Sequence, residues 1–133
     1  MVMESSPPPF IVFRNPKANA ASIERVDVYQ LALDFTAKIE LILRKVEARF
    51  HLKDRLDRNA TGIAIHVGQA ANDLAPSGRR RSYRLAHALA VDCSTILDII
   101  ARRTDVDRNV VDLAQKLVAQ LLSKLEHLRN QSV

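Results

Sequence analysis

The sequence predicts an all-α protein: an up-down-up-down antiparallel four-helix bundle preceded by an extended N-terminal arm. Gly is rare, with 3 residues among 133, and Trp is absent. The apolar residues are mainly Leu, Ile, Val and Ala, which here favours helices over a turn-rich β fold. Apolar positions recur every three or four residues in four stretches, and short links between such stretches make neighbouring helices antiparallel.

Residues 1–22 are interpreted as an arm, and residues 23–133 as the bundle domain. Three consecutive prolines at positions 7–9 disfavour a helix there. Residues 10–13, Phe-Ile-Val-Phe, form a short apolar cluster, called the FIVF segment below. Two interpretations stay open: a flexible tail, or a segment that docks on the bundle or on a neighbouring subunit.

Helix 1 is predicted to begin near Asp27, a residue type that caps the free amides of a first turn, and to end near Ala48. Its apolar residues recur at spacings of three, four and seven and form one face. These residues are Val28, Leu31, Phe35, Ile39, Ile42 and Val46.

Helix 2 is predicted from Leu52 and includes Leu74 at the end of its apolar face. The face consists of Leu52, Leu56, Ala60, Ile63, Val67, Ala70 and Leu74. Gly62 and Gly68 each cost about 1 kcal/mol relative to Ala inside a helix. Their presence predicts close approach by another helix, with ordinary sequence drift as the alternative.

A turn is predicted at residues 75–78, which include Pro76 and Gly78, and helix 3 follows the three arginines at 79–81. Its apolar face comprises Tyr83, Ala86, Leu89, Ala90, Cys93, Leu97 and Ile100. Cys93 is the single cysteine, so we expect a buried hydrophobe rather than a nucleophile. One cysteine excludes an intramolecular disulfide and fits a reducing cytosol.

Helix 4 is predicted from about Val106 to Arg129, with its cap within residues 104–107. Its main face carries Val110, Ala114, Leu117, Leu121, Leu125 and Leu128. A second apolar stripe, Val111, Val118 and Leu122, lies roughly 100° around the axis. We interpret the second stripe as an oligomer interface, and the alternative is a helix wedged deep within its own bundle.

The motif content disfavours an enzyme, a metal site and a bound cofactor. No Glu-x-x-His occurs, and the histidines at 51, 66, 87 and 127 form no pair four residues apart. There is no Gly-rich phosphate loop. No apolar run is long enough to span a bilayer and the N-terminus lacks a signal-peptide pattern, so we expect no membrane partner and a cytoplasmic location.

Arginine clusters are the strongest chemical feature of a chain with net charge +5. The predicted phosphate-binding residues are Arg55, Arg58, Arg79, Arg80, Arg81, Arg84, Arg102 and Arg103. Arginine donates two parallel hydrogen bonds to phosphate, and the few aromatic residues near these clusters favour backbone contact over base reading. RNA or DNA is therefore the expected partner, and a solvated basic surface is the alternative interpretation.

Short stretches of helices 1 to 3 carry a resemblance to a known family. They are VYQLAL from Val28, RFHL from Arg49 and LDRNA from Leu56. A helix 2 motif of the form S-[VI]-P-x-N-I-A-E-G falls on residues 62–70, GIAIHVGQA, where Gly62, His66, Gln69 and Ala70 replace Ser, Asn, Glu and Gly. A helix 3 pattern, F-x-R-F-L-x-x-A, falls on residues 83–90.

These stretches resemble the four-helix-bundle family first noted in intervening sequences of bacterial 23S ribosomal RNA genes. That family is related to the accessory variability determinant of diversity-generating retroelements. The resemblance covers residues 26–129 and implies an up-down-up-down bundle. It also implies a homo-oligomer, with a pentamer in several members, and in the retroelement branch a basic protein that binds nucleic acid and partners a reverse transcriptase.

The residues thus predict a non-enzymatic oligomeric bundle that binds nucleic acid, and the resemblance adds a role as accessory subunit to a reverse transcriptase. A protein–protein scaffold or adaptor without nucleic-acid binding is the alternative function. In that alternative, the FIVF segment is the docking element.

Overall fold

The computed structural model describes residues 20–47 and 49–131, and within these ranges it contains four α-helices and no strand. The helices are α1 (Ala20–Leu43), α2 (Lys53–Asn72), α3 (Pro76–Arg103) and α4 (Arg108–Arg129). Each packs against its neighbour in sequence, and α1 also packs against α4, which closes the bundle. The predicted fold class is confirmed. Residues 1–19, most of the predicted arm, lie outside the described residues.

The core lies between the four helices and consists of aliphatic side chains with Phe35, Tyr83 and Cys93. Most of the predicted apolar faces of α1, α2 and α3 are buried. Among the described residues, no charged or polar residue is buried apart from Tyr83 and Cys93. The 3.6-residue periodicity therefore identified most of the core correctly.

The predicted start of helix 1 near Asp27 is wrong, because α1 begins seven residues earlier, at Ala20. Glu24 lies 3.6 Å from the His127 imidazole and accepts a hydrogen bond of 3.1 Å from Gln131, both from the C-terminal end of the α4 region. These tertiary contacts stabilise the first turns of α1. Capping residues in the sequence do not predict such tertiary contacts.

The predicted end of helix 1 near Ala48 is also wrong, because α1 ends at Leu43 and a tight turn follows. The amide of Lys45 donates to the carbonyl of Ile42 at 3.0 Å, which tightens the chain. Val46 is nevertheless buried, and its carbonyl accepts a hydrogen bond of 3.3 Å from Lys53 Nζ. The turn thus keeps the apolar spacing after the helix has ended.

The link between α2 and α3 is shorter than predicted and leaves Leu74 outside the core. α2 ends at Asn72 and α3 begins at Pro76. Proline suits the first position of a helix because it has no backbone N–H that would be left unpaired there. Leu74, predicted to extend the apolar face, lies in the link and is 95% exposed. Asp73 Oδ1 accepts from the Ala75 amide at 2.9 Å, and the Asp73 carboxylate fills the space where a Cβ on residue 78 would lie, which explains Gly78.

The second apolar stripe of helix 4 was interpreted as an oligomer interface. This interpretation is wrong, because the stripe is buried within the single chain. Val111 and Val118 are each 1% exposed within the single chain, and Leu122 is partly buried against the same core. The α4 stripe is wide because α4 packs against both α1 and α3. Asp107 caps α4, as predicted for residues 104–107, by accepting from the Asn109 amide at 2.9 Å.

Candidate nucleic-acid interface

The structure spreads the eight predicted phosphate-binding arginines along the bundle. One group, called the α3-start cluster, comprises Arg79, Arg80, Arg81 and Arg84. Another, called the α3-end cluster, comprises Arg102 and Arg103. At 1.5 Å rise per residue, Arg80 and Arg102 are separated by about 33 Å along α3. Arg55 and Arg58 of α2 lie between these two clusters, since Arg55 contacts Asp92, ten residues before Arg102.

The α3-start cluster concentrates positive charge in the first three turns of α3. The first turn of α3 contains no acidic residue, and the three consecutive arginines follow within the first two turns. The helix dipole acts mainly within the first turn, so it has little effect on Arg80, Arg81 and Arg84. What these arginines can bind therefore depends on their exposure and on the groups that they contact.

Within this cluster, the four side chains differ in exposure and contacts. Arg79 is half-buried, and its Nη1 donates to the carbonyl oxygen of Asp73 at 2.9 Å, so it fastens the α2–α3 link. Arg80 is half-buried, while Arg81 and Arg84 are exposed. No described carboxylate forms an ion pair with Arg80, Arg81 or Arg84. These three guanidinium groups are available for an external anion.

Arg55 is held by a carboxylate of the neighbouring helix. Its Nε donates to Asp92 Oδ2 at 2.8 Å and its Nη2 to Asp92 Oδ1 at 2.7 Å, a two-pronged pair. The Asn59 side-chain amide donates to the same carboxylate. Because Asp92 neutralises Arg55, this arginine is a weaker candidate for phosphate contact than its position in the sequence suggested.

Arg58 and the two arginines of the α3-end cluster are exposed. Arg58 lies 3.5 Å from Asp54 one turn before it, and such an exposed pair on one helix is weak. Arg102 and Arg103 form no ion pair with a described carboxylate. They stand in the last turn of α3, where cations are favoured by the helix dipole, so stability alone accounts for their presence.

A cleft of about 740 Å³ lies at the end of the bundle where α3 ends, and other charged side chains line it together with Arg103. Lys45, Arg49 and His51 line it together with the carboxylates of Glu47, Asp105 and Asp107. Arg49 Nε already pairs with Glu47 Oε2 at 2.8 Å. Sequence analysis did not single out Lys45. The feature of the sequence that could have identified it is the concentration of charged residues in the α1–α2 link. The mixture of charges makes this cleft less suited to a polyanion than the α3-start cluster.

Tyr83 and Phe50, the aromatic residues nearest the arginines, do not form an exposed stacking platform. Tyr83 is 2% exposed, and burial raises the pKa of its hydroxyl to about 12. Its hydroxyl finds no hydrogen-bond partner among the described residues. Phe50 is half-buried against the core beside His51, with the ring centroids 5.5 Å apart. The geometry favours phosphate contact over base stacking.

Cys93 lacks the properties of a nucleophile. The thiol is completely buried, and burial, followed by the negative charge of Asp92, raises its pKa to about 12. The thiol therefore stays protonated at neutral pH. Within residues 20–47 and 49–131, no three His, Cys, Asp or Glu side chains are grouped to hold a metal ion. No described helix is long and apolar enough to cross a membrane.

Comparison with solved structures identifies a similar bundle. A protein of unknown function from the S23 ribosomal protein family of Bacteroides thetaiotaomicron superposes with a TM-score of 0.74 at 14% sequence identity. The match covers 81% of this chain and 99% of that one. No family model and no curated protein matches the sequence. At this identity, the similarity shows the four-helix fold alone.

Proposed function

We propose that this bundle is a non-enzymatic protein that binds nucleic acid through the phosphate backbone, with the α3-start cluster as its principal contact. The observation that carries the proposal is the set of Arg80, Arg81 and Arg84 in the first three turns of α3, none of which forms an ion pair with a described carboxylate. A polyanion supplies the missing negative charge.

The separation of the two arginine clusters suggests how a duplex lies on the protein. Arg84 and Arg102 are 18 residues apart, or five turns, so they share one face of α3 about 27 Å apart. Arg80 and Arg102 are about 33 Å apart, close to the length of one turn of B-form DNA, roughly 34 Å. A duplex aligned with α3 would meet one cluster at each end of a turn.

Duplex length provides the test of this geometry. A duplex of about 20 base pairs reaches both clusters, whereas one of about 6 base pairs reaches only one. Fluorescence anisotropy at equal nucleotide concentration should show at least about tenfold tighter binding of the longer duplex, beyond the statistical gain in sites. Substituting Arg102→Gln and Arg103→Gln should remove this difference. Equal affinity per site for both lengths would contradict binding along α3.

Both RNA and DNA duplexes belong in this test, because phosphate contacts alone do not distinguish them. The family name of the similar solved structure suggests RNA, whereas the spacing of about 33 Å matches the turn of B-form DNA, so both are measured. Binding by phosphate alone predicts little dependence on base sequence. A strong preference for one sequence would contradict the assignment.

The resemblance of the sequence adds two elements to this proposal: self-association, with a pentamer as one form, and a reverse transcriptase as protein partner. The chain has a mass of 14.9 kDa, so a pentamer would have a mass of about 75 kDa. Light scattering measures this directly. Because Val111 and Val118 are buried within the chain, an assembly must use other side chains.

A further inference from the structure

A shallow apolar groove runs along the outside of α1 and α2 at the end of the bundle where α1 begins. It has a volume of about 790 Å³. Tyr29 lines it from α1, Ile65, Gly68 and Gln69 line it from α2, and Leu74 closes it from the α2–α3 link. Ile65 is 54% exposed and Leu74 is 95% exposed, so two large apolar side chains face solvent here. Apolar side chains that are exposed together at one groove gain free energy when another apolar segment covers them.

We propose that the FIVF segment of the same chain, residues 10–13, docks in this groove. The segment is entirely apolar, with two aromatic and two branched side chains, and matches the exposed Ile65 and Leu74 in character. It lies outside the described residues, and the described chain begins at Ala20, at the same end of the bundle as the groove. This proposal is independent of nucleic-acid binding.

The lengths of groove and segment agree. From Ala64 to Asn72 the groove follows eight residue steps of α2, or about 12 Å. Four residues in extended conformation cover about 13 Å. The segment therefore fills the groove without an overhang.

The tether also reaches the groove. Seven residue steps separate Phe13 from Ala20, and an extended chain spans up to about 24 Å over that distance. Tyr29 is nine residues into α1, about 13 Å from its start, and lines the groove. A short tether holds the segment at an effective concentration on the order of millimolar, which favours its own chain over a second copy.

Disulfide trapping tests this placement on the full chain. Cys93 is first replaced by Ala, and cysteines are introduced by Arg14→Cys beside the segment and Gln69→Cys at the exposed edge of the groove. The matched control pairs Arg14→Cys with Ser123→Cys, an exposed position on α4 one turn before His127, which pairs with Glu24 near the start of α1. Circular dichroism confirms that each variant is helical.

Under mild oxidation, the Gln69 pair should form its disulfide at least about tenfold faster than the Ser123 pair. Replacing Phe10 and Phe13 by Ser should abolish this advantage. Mixing isotopically light and heavy chains, followed by mass spectrometry, should find both sulfurs on one chain. Equal rates for the two pairs, an advantage that survives the Phe substitutions, or disulfides between light and heavy chains would each overturn docking in the chain's own groove.

Discussion

Leu89 Cδ1 lies 2.8 Å from the position that a Cβ on Gly62 would occupy, so α3 approaches α2 where α2 has no side chain. The sequence predicted such an approach from the small residues of helix 2, and at Gly62 the prediction is confirmed. A glycine inside a helix is unfavourable by about 1 kcal/mol relative to Ala. The contact with Leu89 explains why this position carries one.

Gly62→Ala should change the free energy of unfolding by less than about 1 kcal/mol, because the gain in helix propensity is offset by displacement of Leu89. With Leu89→Ala already present, the same change should stabilise the protein by about 1 kcal/mol. Urea denaturation of the four combinations measures both values. An identical effect of Gly62→Ala in the two backgrounds would show that Leu89 is not the reason for the glycine.

Val118→Glu should unfold the chain rather than dissociate an assembly. Val118 is 1% exposed, and placing a carboxylate there without a partner should cost at least about 3 kcal/mol. Leu113→Glu on the same helix is the matched control, since Leu113 is 50% exposed and should tolerate the charge. Thermal denaturation followed by circular dichroism distinguishes the two. A smaller but fully folded Val118→Glu particle would restore the interface interpretation.

Stability should decline at alkaline pH because of Cys93 and Tyr83. Burial raises the pKa of Cys93 from 9.0 to about 12 and that of Tyr83 from 10.0 to about 12. The unfolded chain therefore loses these protons at lower pH than the folded chain, and their contribution to stability is complete below pH 9 and falls between pH 9 and 12. Urea denaturation across this range should show the decline. In the Cys93→Ala variant, the decline in stability should begin nearer pH 10. A pH dependence identical to that of the wild type would contradict the contribution of Cys93.

Asp92→Asn should strengthen nucleic-acid binding, because it frees Arg55 from the carboxylate that neutralises it. A gain of about threefold in affinity at low salt is expected, with a loss of stability no larger than about 1 kcal/mol. Asp112→Asn makes the same change of net charge beside Arg108 on α4, at an ion-pair distance of 3.9 Å, and should have less effect. Equal gains in both variants would show that net charge alone matters.

Helix periodicity predicted the fold because burial of one face per helix dominates the energetics of a bundle. Most positions of the apolar faces of α1, α2 and α3 were identified in this way. The helix ends were less predictable where tertiary contacts decide them. Glu24 bonding to Gln131 extends α1 at its start, and no local capping signal reports a contact between residues 107 positions apart.

The candidate site was predictable only as a set of basic residues. Linear clusters placed Arg79 to Arg84 at the start of helix 3 and Arg102 and Arg103 at its end, which is where α3 carries them. The pairing of Arg55 with Asp92 joins residues 37 positions apart, so it depends on how α2 and α3 pack. The second stripe of α4 was misinterpreted because a wide apolar face is required wherever a helix packs against two neighbours.

The salt dependence of binding is the decisive measurement for phosphate contact by the α3-start cluster. Affinity for an RNA duplex is measured between about 50 and 200 mM salt for the wild type, Arg80→Gln/Arg84→Gln, and the control Lys116→Gln/Lys124→Gln on α4. Phosphate contact predicts a steep loss of affinity with salt, a slope of log K against log salt reduced by roughly 2 in the arginine variant, and an unchanged slope in the control. Binding that is absent, indifferent to salt or equally affected by both variants would contradict phosphate contact by these arginines and favour a protein scaffold.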